Sequence, residues 1–314
     1  MHFGKTPIFV LVAGGLLGTL GFASLLFSLT GHSKQAMAPN LASHAVIAGL
    51  ASDGVPSSAT GTPDATPTAV PTATPGVPSV KGLQVWAGGD SVGAFVAQNF
   101  AQDMVAAGAK DDCSTTSAST TGVDNTCYFW KISTGLCRLD YFDWLGKLQQ
   151  IMATTHPQLM LFMLGGNDAQ TLIGADGTAS GLTPFSQAWN AGYAARVSQA
   201  MDIMTSGGGY LVWVGLPIML DTNEYPGYNA NMQQLNAIFK AEAASHSHVV
   251  YLDAYALTSD ANGQWAEYLP DIHGVVQQMR VPEGVHLTEQ GGEFLAQHAI
   301  GALFALMKEE PATP

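Results

Sequence analysis

The sequence predicts an α/β domain built on a parallel sheet with helices on both faces, preceded by one membrane-spanning helix and a proline-rich tether. Three observations predict it. From residue 83 onward, short apolar runs alternate with amphipathic stretches, the order expected when helices cover both sides of a parallel sheet. Residues 8 to 29, "IFVLVAGGLLGTLGFASLLFSL", carry no charge. Between these regions lies "GTPDATPTAVPTATPGVP", in which Pro, Thr and Ala alternate with no apolar period.

The apolar run comes first. At a rise of ~1.5 Å per residue it spans roughly 33 Å, about one bilayer core. "AMA" at 36 to 38 resembles a signal-peptide cleavage site, but Pro39 follows it and counts against cleavage. A retained anchor is expected, with secretion after cleavage as the alternative. Lys5 and the amino terminus tilt the start toward the cytoplasm, and Lys34 weakens that orientation. The tether that follows is semi-rigid and extended, at ~3.1 Å per residue. The expected organisation is an anchor at 1–35, a linker at 36–80, a domain at 81–308 and a tail at 309–314. Anchor and tether together place the domain outside the cytoplasm.

Composition narrows the function. Eleven basic residues face 24 acidic ones, a formal net charge of −13, and only 11% of residues are charged. Phosphate binding needs clustered Lys and Arg, and no such cluster exists, so a nucleic-acid partner is not expected. Hydrophobic residues make up 47% of the 314, enough for a sizeable core. The three cysteines form no Cys-x-x-Cys, so no zinc or redox motif is expected. Cys113 and Cys127 bracket "CSTTSASTTGVDNTC", which outside the cytoplasm reads as a loop closed by a disulfide. Two free thiols are the alternative. Cys137 would be left over and buried.

Within the domain, "LQVWAGG" reads as a buried strand and "SVGAFVAQNFAQDMVAAG" as the helix after it. "CRLDYFDWLGKLQQIMAT" has a helical period, with Leu139, Phe142, Leu145, Leu148 and Ile151 three apart. "QLMLFMLG" is a second buried strand. "PFSQAWNAGYAARVSQAMDIMTSGGG" is a long helix with a glycine stop. "YLVWVGLP" is a third strand, "NMQQLNAIFKAEAASH" a helix and "HVVYLDA" a fourth strand. "TEQGGEFLAQHAIGALFALMK" closes the domain as a helix. Ligands in such sheets sit at the carboxyl ends of the strands.

Three polar clusters fall there: Gly89-Asp90-Ser91, Gly165-Gly166-Asn167-Asp168, and "EGVHLTEQGG" from Glu283 to Gly292. Gly135 in "STGLCRLD" is a fourth, weaker feature. Each has a plain structural reading. "GDS" suits an Asx turn with a helix cap, Asn167-Asp168 suits a cap, and His286 suits the surface. These readings would have to hold independently at all three places.

The ordered set "GGDSVG", "STGLCRLDYFDW", "MLGGNDAQ", "VWVGLP" and "VHLTEQG" resembles the SGNH/GDSL hydrolases, and more narrowly their bacterial envelope branch, DUF459. The resemblance spans most of residues 83 to 308. It implies a three-layer α/β/α flavodoxin-like parallel sheet and a Ser-His esterase site. With the anchor and tether, the expected location is the bacterial inner membrane with the domain in the periplasm, or secretion after cleavage.

The chemistry is intelligible from the residue types. A serine hydroxyl is a weak nucleophile until a base stands beside it, and imidazole titrates near working pH. The family pattern carries over as Ser91 nucleophile and His286 base, with an oxyanion hole from the Ser91 and Gly135 N–H groups and the Asn167 amide. Such donors lower the barrier by roughly 3–4 kcal/mol each. The departure is Glu283, which stands where the family usually has Asp. It either orients His286 through a shifted backbone or leaves that task to a main-chain carbonyl. Asp90 is expected to fix the turn around Ser91. Asp168, Arg138 and Arg280 are candidate substrate-binding residues, the alternatives being a supporting position behind the site for Asp168 and an ion pair for the arginines. Asp271 and His273 form an acid–histidine pair in a stretch that reads as loop. His246 and His248 look structural or exposed.

The resulting expectation is a tethered serine esterase, needing neither metal nor cofactor, that removes O-acyl groups, most plausibly acetyl, from an acylated envelope or exported polysaccharide. An O-acetyltransferase using the same serine and a non-catalytic glycan-binding protein are the alternatives.

Overall fold

The computed structural model describes residues 78–110, 127–222 and 225–309. The expected anchor, the tether up to residue 77, Cys113 and the tail from residue 310 lie outside the described residues, so the Cys113–Cys127 bridge does too. Among the described residues, no helix is long and apolar enough to cross a membrane.

The elements run β1 (Val85–Gly89), α1 (Ala94–Ala106), β2 (Tyr128–Trp130), α2 (Trp144–Thr155), β3 (Leu159–Met163), α3 (Gln187–Thr205) and β4 (Tyr210–Val214). They continue with α4 (Tyr228–Ala243), β5 (Val249–Leu252), α5 (Ala254–Leu257), β6 (Tyr268–Pro270), β7 (Val276–Gln278) and α6 (Glu289–Glu309). Five strands form one parallel sheet in the order β2-β1-β3-β4-β5. This is the doubly wound, flavodoxin-like order. Every residue of β1 and β3 is buried, which is why their sequences are continuous apolar runs rather than alternating ones.

Helices α1 and α6 pack on each other, α6 also against β4 and β5, while α2, α3 and α4 pack in succession. The α1–α6 contact is close because Gly292 has no side chain: a Cβ there would lie 2.3 Å from the Phe95 Cβ. Aromatic rings fill the core beneath the sheet, with Phe162 edge-on to both Trp144 and Trp213. The chain leaves β1 toward β2 and then returns to place β3 on the other side of β1. The crevice between the ends of β1 and β3 is therefore the topological switch point.

Three elements differ from the sequence expectation. The helical period over 137–154 holds only from Trp144. Upstream, Ile173 N donates to Cys137 O at 2.7 Å and Leu139 N to Ile173 O at 3.2 Å, so that backbone is spent on a bridge rather than a helix. Leu139 and Phe142 still pack against the core, which is why their spacing looked helical. Asp143 starts the true helix, its Oδ1 accepting from Gly146 N at 3.0 Å. Asp271 and His273 lie in a loop as expected, but the short strands it joins, β6 and β7, form an antiparallel hairpin that was not expected. The edge strand β2 has three residues and no sequence period to reveal it.

Replacing Asp143 with Ala removes the α2 cap and should cost about 1 kcal/mol, read as a lower urea midpoint at unchanged m-value.

Candidate active site

Ser91 sits in the turn between β1 and α1. It does not cap that helix: the N-cap is Gly93, which makes no side-chain cap bond. Its hydroxyl instead lies 3.1 Å from Nε2 of His286, 195 residues away in sequence. Glu283 completes the chain. Its Oε1 accepts from His286 Nδ1 at 2.5 Å and from the His286 backbone N–H at 2.8 Å. A proton held on Nδ1 leaves Nε2 with a lone pair toward the Ser91 hydroxyl. Burial raises the Glu283 carboxyl pKa, but the hydrogen bonds from His286 side chain and backbone outweigh it and hold the group below its ordinary value. The carboxylate thus stays ionised beside the imidazole. Of the two alternatives for orienting His286, it is the Glu283 side chain rather than a main-chain carbonyl that meets Nδ1, on a turn closed by Gly284 N donating to Val281 O at 3.0 Å.

Arg280 differs from expectation. Its side chain is wholly buried and does not face a substrate. Nη1 donates to Ile218 O, Nη2 to Gly284 O at 3.2 Å and Val285 O at 2.9 Å, and Nε to His286 O at 3.4 Å. The guanidinium fork therefore fastens the backbone on which Glu283 and His286 stand.

The expected oxyanion donors come from three strand exits. Ser91 follows β1, Asn167 follows β3, and Gly135 lies in the loop after β2. Asp90 joins the first two. It is fully buried, and its Oδ1 accepts from Val92 N at 2.9 Å. Oδ2 accepts from Gly165 N at 2.9 Å and Gly166 N at 3.1 Å. Asp90 thus does more than shape its own turn. Burial pushes its carboxyl up to about 6, against the pull of those N–H donors. Asn167 Nδ2 donates one hydrogen to Thr134 O at 3.3 Å, tying it to the Gly135 loop and leaving its second hydrogen for a ligand.

Asp168 does not bind substrate but takes the supporting position that was its alternative. It is fully buried and touches no cleft surface. It accepts from Leu136 N and Cys137 N, each at 3.0 Å, and from the Tyr193 hydroxyl. A Cβ on Gly135 would lie 1.8 Å from Asp168 Oδ1. Glycine is therefore required at 135 by the buried carboxylate behind it, not only by a ligand in front. Arg196 braces the same loop, donating to Leu136 O at 2.7 Å and Cys137 O at 2.8 Å. Tyr228 supports the β3 exit through its hydroxyl, which donates to Gly166 O at 2.6 Å. Tyr193, Arg196 and Tyr228 carry no motif in the sequence. Their only trace was a polar atom on an otherwise core-facing helical position.

The remaining candidates separate cleanly. Arg138 lies at the cleft beside Gly135 and Asn167, paired to Asp140 at 2.8 Å. Asp271 accepts from His273 N at 2.8 Å and Val275 N at 2.9 Å within its hairpin tip. His246 is held by Glu242 O at 2.7 Å, and the His248 ring stacks on Tyr210.

The raised Asp90 pKa has a stability consequence. A carboxyl whose pKa is higher in the folded state contributes stability below the unfolded value of 3.8 and loses it as pH rises through about 6. Wild type should therefore lose about 2 kcal/mol between pH 4 and pH 7 relative to the Asp90→Asn variant, whose side chain does not titrate. Urea unfolding of both proteins at the two pH values reads the difference.

The family model described as "Protein of unknown function (DUF459)" matches residues 84–302. No curated protein matches the chain in sequence. Similar solved structures include a carbohydrate esterase family 3 protein from Talaromyces cellulolyticus, with 15% identity and a TM-score of 0.42 over 73% of this chain and 100% of that one. A putative acylhydrolase from Bacteroides fragilis has 13% identity and a TM-score of 0.45 over 70% and 87%. A GDSL-like lipase from Bacteroides thetaiotaomicron has 12% identity and a TM-score of 0.43 over 69% and 87%. Likeness at that distance carries no information on substrate. The family match covers all three polar blocks and the strands that carry them, and the chain belongs to the DUF459 family.

Proposed function

We propose that this protein is a serine esterase that removes O-acyl groups, acetyl foremost, from a polysaccharide of the bacterial envelope or one exported through it. One observation carries the reading: the hydrogen-bonded chain from Ser91 through His286 to Glu283 at the switch point of the sheet.

In the first step Ser91 Oγ attacks the ester carbonyl carbon and His286 Nε2 takes the hydroxyl proton. Glu283 stabilises the imidazolium so formed through Nδ1–H. Negative charge develops on the former carbonyl oxygen, where the Ser91 N–H, the Gly135 N–H and the Asn167 amide meet it. Collapse expels the sugar alcohol, which takes the proton from His286, and leaves the acyl group on Ser91. Water then attacks the acyl-enzyme, giving its proton to His286, and collapse returns that proton to Ser91 as the carboxylic acid departs. The protein's own groups complete this cycle. An intact acid–base–nucleophile chain also argues against a purely binding role, which needs no oriented imidazole.

The polysaccharide and periplasmic parts rest on the sequence: the uncharged run at 8–29 and the Pro/Thr-rich tether, which would hold the domain near a membrane.

Ser91→Ala should lower turnover of p-nitrophenyl acetate by roughly 10⁴–10⁶-fold with the fold intact by circular dichroism. Near-normal turnover by that variant would end the serine mechanism. Arg280→Met should lower kcat by about 10²-fold through misplacement of His286, with KM less affected. Partial recovery of kcat on adding guanidinium ion separates this positioning role from a general loss of stability.

A further inference from the structure

We infer that the cleft between the β2 and β3 exits is the subsite for the alcohol half of the ester, and that it takes one uncharged sugar ring rather than an acyl chain or an anionic sugar. This inference rests on the esterase reading above and names the part of the substrate that the reading leaves open.

The cleft has a volume of about 240 Å³, and Gly135 and Asn167 line it. It therefore opens from the expected oxyanion donors. That volume lies below the ~300–1,000 Å³ of sites for drug-sized ligands and suits a single ring. Its other walls include Ser133, Arg138, Tyr141 and Gln170. Among the described residues lining it there is no Leu, Ile, Val, Met or Phe. Apart from the Tyr141 ring and Cys137, an acyl chain would find little apolar side chain there along which to replace water. A ring bearing hydroxyls on its edge and C–H groups on its face would find both partners.

Tyr141 supplies the flat apolar face. It is 59% exposed, so its face is open to a ring entering the cleft. The turn that presents it is fixed by Tyr141 N donating to Arg138 O at 3.2 Å. Arg138 is the only charged residue among the described lining residues. Its guanidinium is committed to Asp140 through Nε to Oδ1 at 3.2 Å and Nη2 to Oδ2 at 2.8 Å. A bidentate pair leaves Nη1 as a donor for a hydroxyl but cancels the charge that would recruit a carboxylate. The net charge of −13 further disfavours an anionic sugar at long range.

The test compares kcat/KM of wild type, Tyr141→Ala and Tyr141→Trp on glucose pentaacetate, acetylated glucuronic acid, p-nitrophenyl acetate and p-nitrophenyl octanoate. Wild type should favour glucose pentaacetate over the acetylated uronic acid. Tyr141→Ala should lose about tenfold more on glucose pentaacetate than on either aryl ester, mainly in KM, and Tyr141→Trp should recover it. Equal losses on all esters, or a loss on the octanoate as large as on the sugar, would overturn the subsite. So would preference for the uronic acid. Absence of wild-type turnover on every ester would instead overturn the esterase reading itself, and the subsite with it.

Discussion

The site depends on one buried carboxylate. Asp90 spends one oxygen on the turn after β1 and the other on two N–H groups after β3. Those strand ends flank the switch point, where the helices on either side diverge and leave a crevice. Without a partner, three buried N–H groups would each cost about 1–3 kcal/mol. A single side chain satisfies all of them and in doing so fixes Ser91 against Asn167. The nucleophile and an oxyanion donor come from segments 75 residues apart by the Asp90–Gly165 spacing, yet share one rigid corner.

The same device recurs on the other two sides of the site. Asp168 holds the Gly135 loop through Leu136 N and Cys137 N, with Tyr193 and Arg196 behind it. Arg280 holds the Glu283–His286 turn through its carbonyls. In each case a fully buried charged group is satisfied mostly by backbone, so the loop cannot move without stranding it. This is how a site built on turns acquires the fixed geometry that catalysis needs: donors aimed before the charge develops do not have to reorganise. Ser91, His286 and Glu283 themselves remain partly open to solvent, as a site that admits substrate must.

Much of this was legible in the sequence, for physical reasons. Buried parallel strands announce themselves as apolar runs, and "VWAGG" and "LMLFM" did so. Polar clusters directly after such runs drew attention to Ser91 and Asn167, while His286, in a cluster just before the last helix, was assigned through the family pattern. What failed was anything set by contacts distant in sequence. Arg280 and Asp168 looked available to a ligand because a sequence shows charge but not what encloses it. Residues 137–143 looked helical because Leu139 and Phe142 bury at helical spacing, while their backbone is claimed by Ile173. Tyr193 and Tyr228 were not singled out at all, since nothing local reveals where a hydroxyl points. The edge strand β2 and the β6–β7 hairpin, three residues per strand, are too short to display a period.

The most direct measurement asks which atom reacts. A fluorophosphonate modifies only a serine activated by a neighbouring base. Incubation with the probe, proteolysis and mass spectrometry should place a single stoichiometric adduct on Ser91, with labelling lost in His286→Ala. A folded protein that takes up no probe, or takes it up on another residue, would contradict the account.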